Sequence, residues 1–215
     1  MASQVRITEI FYSLQGESSR VGLPTVFIRL TGCPLRCVYC DTAYAFEGGR
    51  RVEIAEILDQ TKSFKTPYVT VTGGEPLAQP ESLVLLKELA DQGFDVSLET
   101  SGAMSIESVD PRISTIMDLK TPSSGECHRN LYENITHLKK TDEVKFVIET
   151  EDDYQWCKSK LMEYRLADRV AAVLFSPVFG KMDATVLAEK LLGDRLPVRF
   201  QTQLHKSLWS EEQGR

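Results

Sequence analysis

Short runs of alternating apolar and polar residues recur along the 215-residue chain and predict strands. They fall at residues 5–11, 24–31, 68–72, 95–99, 114–118, 143–148, 171–175 and 198–201. In the second run Val26, Ile28 and Leu30 alternate with Phe27 and Arg29. Between the runs the apolar spacing lengthens to three and four, which predicts helices at 52–61, 81–91, 130–139, 151–164 and 183–192. In the helix at 81–91, for example, Leu83, Leu86 and Ala90 share one face.

Strands separated by helical stretches of this length predict an α/β fold with a parallel sheet, and right-handed crossovers curl such a sheet toward a barrel. A closed eight-fold barrel typically needs about 250 residues, and much of 12–50 reads as loop, so an incomplete, open barrel is expected. No repeat, low-complexity stretch or linker divides residues 1–215, which read as a single domain.

Composition narrows the function. Hydrophobic residues make up 42% and charged residues 26% of the chain, an ordinary globular balance. Lys and Arg number 25 against 31 Asp and Glu, a net charge of −6 that argues against nucleic acid as the main partner. No run approaches the roughly 20 apolar residues of a membrane helix. The first residues lack a basic head before an apolar block, so a cytoplasmic protein without membrane contact is expected.

Three of the five cysteines crowd into Cys33-Pro34-Leu35-Arg36-Cys37-Val38-Tyr39-Cys40. That packing is a poor disulfide framework and a good metal loop. A structural zinc takes four protein ligands, and Cys127, Cys157, His128, His137 and His205 are all distant in sequence. Three thiolates suit a 4Fe–4S cluster with one iron left open, since full ligation takes four cysteines. Downstream, Thr70-Val71-Thr72 runs into Gly73-Gly74-Glu75-Pro76, where glycines would let backbone approach a ligand closely.

The cysteine spacing, with Tyr39 before the last thiol, resembles the radical S-adenosylmethionine superfamily, as does the Gly-Gly-Glu-Pro motif. The resemblance implies a (β/α)6-type partial barrel. It implies a 4Fe–4S cluster on Cys33, Cys37 and Cys40 whose open iron chelates S-adenosylmethionine and cleaves it to a 5′-deoxyadenosyl radical. Tyr39, Cys40, Asp41, Gly74, Glu75 and Ser101 would contact that cofactor, with Lys120, Thr121 and Pro122 near it. On the residues alone Lys120 reads equally as a solvated loop lysine.

A denser block carries the substrate. Phe11-Tyr12-Ser13-Leu14-Gln15-Gly16-Glu17, Phe27-Ile28-Arg29-Leu30-Thr31-Gly32-Cys33 and Cys40-Asp41-Thr42 resemble the 7-carboxy-7-deazaguanine synthase family. Asp118-Leu119-Lys120-Thr121-Pro122, Val144-Lys145-Phe146 and Gln203-Leu204-His205-Lys206 extend the match along the chain. Leu14 and Ser18 depart from the family's more usual Ile and Gly. The resemblance implies ring contraction of 6-carboxy-5,6,7,8-tetrahydropterin to 7-carboxy-7-deazaguanine with loss of ammonia, on the route to queuosine and related 7-deazapurines. S-adenosylmethionine would be regenerated each cycle and Mg2+ would assist.

Arg29 would clamp the pterin carboxylate bidentately, or else pair with Glu17. The Gln15 side chain with the backbone of Leu14 and Gly16 would read the ring's amide-like edge, Glu17 would accept its N–H groups, and Thr72 is a further contact. Thr42 would ligate Mg2+, which keeps most positions for substrate and water; without the resemblance it reads as a turn or N-cap residue. His205 and Lys206 would close the substrate side or lie at a dimer contact. A flavodoxin-like electron donor and a homodimer are also implied. The competing readings are a glycyl-radical-activating enzyme acting on a partner protein and a zinc-binding interaction module.

Overall fold

The computed structural model describes residues 3–210 and 212–214. The single-domain reading therefore reaches beyond it at Met1, Ala2, Glu211 and Arg215. An antiparallel pair, β1 (Gln4–Leu14) and β2 (Pro24–Leu30), begins the fold, and β3 (Arg50–Glu53) pairs with the outer side of β1. From β2 onward the sheet is parallel: β4 (Tyr68–Gly73), β5 (Asp95–Thr100), β6 (Ser114–Asp118), β7 (Glu143–Ile148), β8 (Ala172–Pro177) and the two-residue β9 (Arg199–Phe200) follow in chain order. The nine-stranded sheet has free edges at β3 and β9, so the barrel is open as expected.

Helices α1 (Ile54–Ser63), α2 (Ser82–Asp91), α3 (Glu151–Glu163) and α4 (Ala184–Asp194) form crossovers, and α5 (Leu204–Trp209) follows β9. Alternation along the strands sorts the residues between two faces. Val26, Ile28, Val69, Val71, Val96, Leu98, Val144 and Phe146 join the buried core, each worth about 1.5–3 kcal/mol of apolar burial. Their neighbours Arg29, Thr72, Glu99, Asp118 and Lys145 face a cavity on the other side. The sheet thus carries a polar interior, and that interior is the site.

Three expectations change. The helix predicted at 130–139 is a short 3-10 turn, Tyr132–Thr136. Asn134 donates to the Gly102 and Met104 carbonyls and accepts from the Ile106 N–H, so the side chain satisfies backbone that a longer helix would not reach. The helix expected at 52–61 begins at Ile54, its first two residues belonging to β3, and α5 has no counterpart among the expected helices. The 126–130 segment also forms a 3-10 turn, Cys127–Arg129, tied down by reciprocal bonds between Asn130 and the Lys120 backbone of 2.8 and 2.9 Å.

Candidate active site

A cavity of about 460 Å³ opens at the C-terminal ends of the parallel strands. Its lining includes Cys33, Cys37, Cys40 and Tyr39 together with Leu14, Gln15, Gly16, Glu17, Arg29, Thr72 and Lys145. Both halves of the predicted constellation therefore share one space.

The cysteine loop follows β2, and its three thiols are unpaired and half-buried. Burial pushes the Cys37 thiol up to about 11. No three His, Cys, Asp or Glu among the described residues could hold a single metal ion. The donor set fits a larger sulfur-liganded cluster: three thiols reach one open cavity, and soft thiolates are its usual ligands. Tyr39 lies along the wall with its hydroxyl anchored at 3.0 Å to the Thr121 hydroxyl and donating at 3.3 Å to the Val147 carbonyl.

The glycine motif serves a purpose beyond ligand approach. A Cβ on Gly74 would stand 2.1 Å from the Gly32 oxygen and 3.0 Å from Cys33 Cβ; one on Gly73 would meet the Leu30 oxygen at 2.2 Å. Protein backbone fills the space that a side chain would need, bringing the end of β4 against the base of the cysteine loop. The Glu75 N–H seals this approach by donating to the Gly32 carbonyl at 2.7 Å. Glu75 is fully buried and does not line the cavity. Its carboxylate accepts from the Leu77 N–H, the Thr100 hydroxyl, and both the N–H and hydroxyl of Ser101. Ser101 itself reaches the cavity with its hydroxyl already committed to Glu75.

Thr121 and Pro122 also lie outside the lining. Thr121 is buried and steadies Tyr39, while Pro122 starts a 3-10 turn. Lys120 does reach the cavity, ion-paired to Asp118 at 2.8 Å rather than solvated. Burial works against its charge, but Asp118 more than compensates and raises its pKa.

Arg29 does not take the structural pairing with Glu17. Its Nε donates to Glu9 Oε1 at 2.7 Å, and Tyr44 donates to the same oxygen at 2.8 Å. The guanidinium lies over the rings of Phe11 and Tyr44 at 5.7 and 5.8 Å. Its two terminal amino groups have no hydrogen-bonded protein partner among the described residues. Glu9, a positioning partner absent from the sequence reading, sits at the same level of the neighbouring strand, where the register pairs it with Arg29.

Gln15 is 2% exposed. Its amide donates at 3.2 Å to both the Thr70 hydroxyl and Glu99, and its oxygen accepts from the Glu17 N–H at 3.1 Å. That side chain is therefore held by protein partners, as are the Gln15 N–H and carbonyl, bonded to Leu23 and Gly22. Thr72 donates to Glu99 at 2.9 Å. Burial and the Glu17 charge push the Glu99 pKa up.

Glu17 shows the opposite balance. Burial raises its pKa, but the charge and hydrogen bond of Lys145, with Gln203 donating at 2.7 Å, outweigh that and hold it low. Thr42 starts a 3-10 turn without a side-chain cap; its hydroxyl donates to Asp41 at 2.9 Å. Asp41 accepts from Lys206 at 3.0 Å and Gln203 at 3.3 Å. His205 and Lys206, both on α5, line the cavity.

Fold and cysteine loop together define a radical S-adenosylmethionine protein, and the Radical SAM superfamily matches residues 27–122. The 7-carboxy-7-deazaguanine synthase of Chlorobaculum tepidum is 44% identical over 211 residues, covering 97% of this chain and 96% of that protein. The synthase of Thermoplasma acidophilum is 36% identical over 210 residues, covering 97% and 99% respectively. The chain belongs to the 7-carboxy-7-deazaguanine synthase family. Its fold matches the crystal structure of QueE from Escherichia coli with a TM-score of 0.77 at 23% identity, over 94% of this chain and 95% of that one. A 4Fe–4S cluster and S-adenosylmethionine are therefore its cofactors, and the glycyl-radical and zinc-module readings are set aside.

Proposed function

We propose that this chain carries out the ring contraction of 6-carboxy-5,6,7,8-tetrahydropterin to 7-carboxy-7-deazaguanine, releasing ammonia, with Mg2+ assisting. The observation that carries this reading is the single cavity joining three free cysteines to an arginine whose terminal amino groups are unused. When bound, the cluster and S-adenosylmethionine supply one-electron cleavage and hydrogen abstraction.

The remaining work falls to the chain. Cys33, Cys37 and Cys40 would hold the cluster, and Tyr39 would flank the adenine. Gly74, Ser101, Asp41 and Lys120 would shape the S-adenosylmethionine pocket, backed from behind by Glu75, Thr121 and Pro122. Arg29, fixed through Nε by Glu9, would present its terminal amino groups to the pterin carboxylate as a bidentate fork. Glu17 would accept ring N–H groups, and the Leu14–Gly16 backbone with Thr72 would border the ring. Thr42 would contribute one oxygen to Mg2+, the substrate and water supplying others.

The chain would act as one domain, a reading supported by its continuous sheet and core. A flavodoxin-like donor, a homodimer and a cytoplasmic setting belong to the same reading, supported by the family pattern; no described helix is long and apolar enough to cross a membrane. The test is anaerobic reconstitution followed by incubation with S-adenosylmethionine, dithionite, Mg2+ and the carboxytetrahydropterin. Mass spectrometry should find 7-carboxy-7-deazaguanine, and the Cys37→Ala variant should form none. Production of 5′-deoxyadenosine with the pterin left intact would overturn the substrate assignment.

A further inference from the structure

Lys145 lines the cavity, where its ammonium meets more than one carboxylate. It projects from β7 beside Asp118, its register partner on β6, and its ammonium bonds to Glu17. Glu99 on β5 also faces it through space. Three carboxylates thus surround one ammonium. Asp118 has a partner of its own in Lys120, and one of its oxygens is buried without any hydrogen-bond partner. Glu99 is held by neutral donors from Gln15 and Thr72. Among the described residues Glu17 alone bonds the Lys145 ammonium directly.

We infer that Lys145 is a positioning residue that keeps Glu17 ionised and aimed as the acceptor for the N–H groups of the substrate ring. The inference rests on the pterin reading of the cavity. A buried carboxylate without a cation neutralises rather than staying charged. A protonated Glu17 would present a donor where the ring needs an acceptor. Burial in this cavity favours the neutral form, and Lys145 is the largest influence opposing it.

The groups facing Glu17 are few. Lys145 comes from β7, Gln203 and His205 from the C-terminal segment, and the Glu99 charge from β5. Burial holds His205 below its ordinary pKa and therefore largely neutral above pH 7. Without Lys145, the Gln203 hydrogen bond and the smaller His205 contribution would be left to favour the charged form against burial. The folded pKa of Glu17 would then rise.

The experiment measures pterin affinity of the reconstituted, S-adenosylmethionine-loaded enzyme by anaerobic equilibrium dialysis between pH 6.5 and 9. Lys145→Met should weaken pterin binding at neutral pH by at least about tenfold. The loss should shrink as pH rises, because ionisation of Glu17 restores the acceptor. The ratio to wild type should be pH-independent in Lys145→Arg, which keeps the charge, and that variant should bind with near wild-type affinity. In Glu17→Gln/Lys145→Met the pH dependence of the ratio should vanish, since no titrating acid remains. Cluster content and S-adenosylmethionine binding should be unchanged in all three. A pH-independent loss in Lys145→Met, or a parallel loss of cluster, would overturn the inference by showing a merely structural lysine. Failure of the wild-type protein to bind the pterin would instead overturn the substrate reading on which the inference stands.

Discussion

Replacing Gly74 by Ala separates two reasons for the glycine pair after β4. If the glycine exists only to let backbone approach a bound cofactor, the variant should fold and take up its cluster normally and lose only S-adenosylmethionine binding. The structure gives a different answer. The new Cβ would stand 2.1 Å from the Gly32 oxygen, and ordinary van der Waals contact begins near 3.4 Å. The carbonyl must therefore retreat by the difference, roughly 1.3 Å, or the strand ends must separate by that amount. Gly32 immediately precedes Cys33, and the Glu75 N–H donates to the same oxygen.

Overpacking of this kind costs about 1–3 kcal/mol, which for a chain of this size lowers Tm by about 2–12 °C. The displaced oxygen carries Cys33 with it, so the three thiols would no longer stand in the arrangement that grips a cluster. Anaerobic reconstitution followed by iron and sulfide analysis should show substoichiometric cluster, and differential scanning calorimetry of the cluster-free protein should show the lower Tm. A Gly74→Ala protein with unchanged apo Tm and full iron content would refute the packing argument and return the glycine to a role in cofactor contact alone.

Two further substitutions test individual positions. Ser18 adopts φ of 65°, a left-handed conformation costing a non-glycine residue about 1–2 kcal/mol, while its hydroxyl accepts from the Arg20 N–H at 3.2 Å; Ser18→Gly should raise Tm by about 1–4 °C on thermal unfolding, and a fall would show that the hydroxyl outweighs the strain. Glu9→Gln loosens the tether on Arg29 Nε and should raise the pterin KM by about tenfold with S-adenosylmethionine affinity unchanged; an unchanged pterin KM would show that Arg29 needs no such anchor.

Strand existence was legible because the alternation of Val26, Ile28 and Leu30 with Phe27 and Arg29 has only one comfortable solution, a core face and a cavity face. The cysteine loop was legible because its spacing is local. Glu9 escaped notice because its importance comes from cross-strand register, which spacing along one strand does not encode. Gln15 was read as a ligand contact from its chemistry and Glu75 from the family resemblance; in the fold the Gln15 amide donates to Thr70 and Glu99 and the Glu75 carboxylate is held by Leu77, Thr100 and Ser101, a matter of three-dimensional accounting invisible in one dimension. The turn at 132–136 was mistaken for a helix because Asn134, which reorganises the local backbone, acts on residues 28 to 32 positions away.

The seam between residues 15–18 and 201–206 carries a consequence for biosynthesis. Ser18 and Gln201 exchange two hydrogen bonds across a separation of 183 residues, and the Leu204 N–H reaches the Gly16 carbonyl at 3.0 Å. A ribosome makes the chain from its amino terminus, so the Leu14–Glu17 wall emerges before the segment that fastens it, Ser18 preceding Gln201 by 183 residues. A chain stalled before residue 200 would hold both the cysteine loop and the Leu14–Glu17 wall but not the segment that fastens that wall. Completion of the cysteine loop and fastening of that wall are thereby separable in time, the second deferred until residues 201–204 are made.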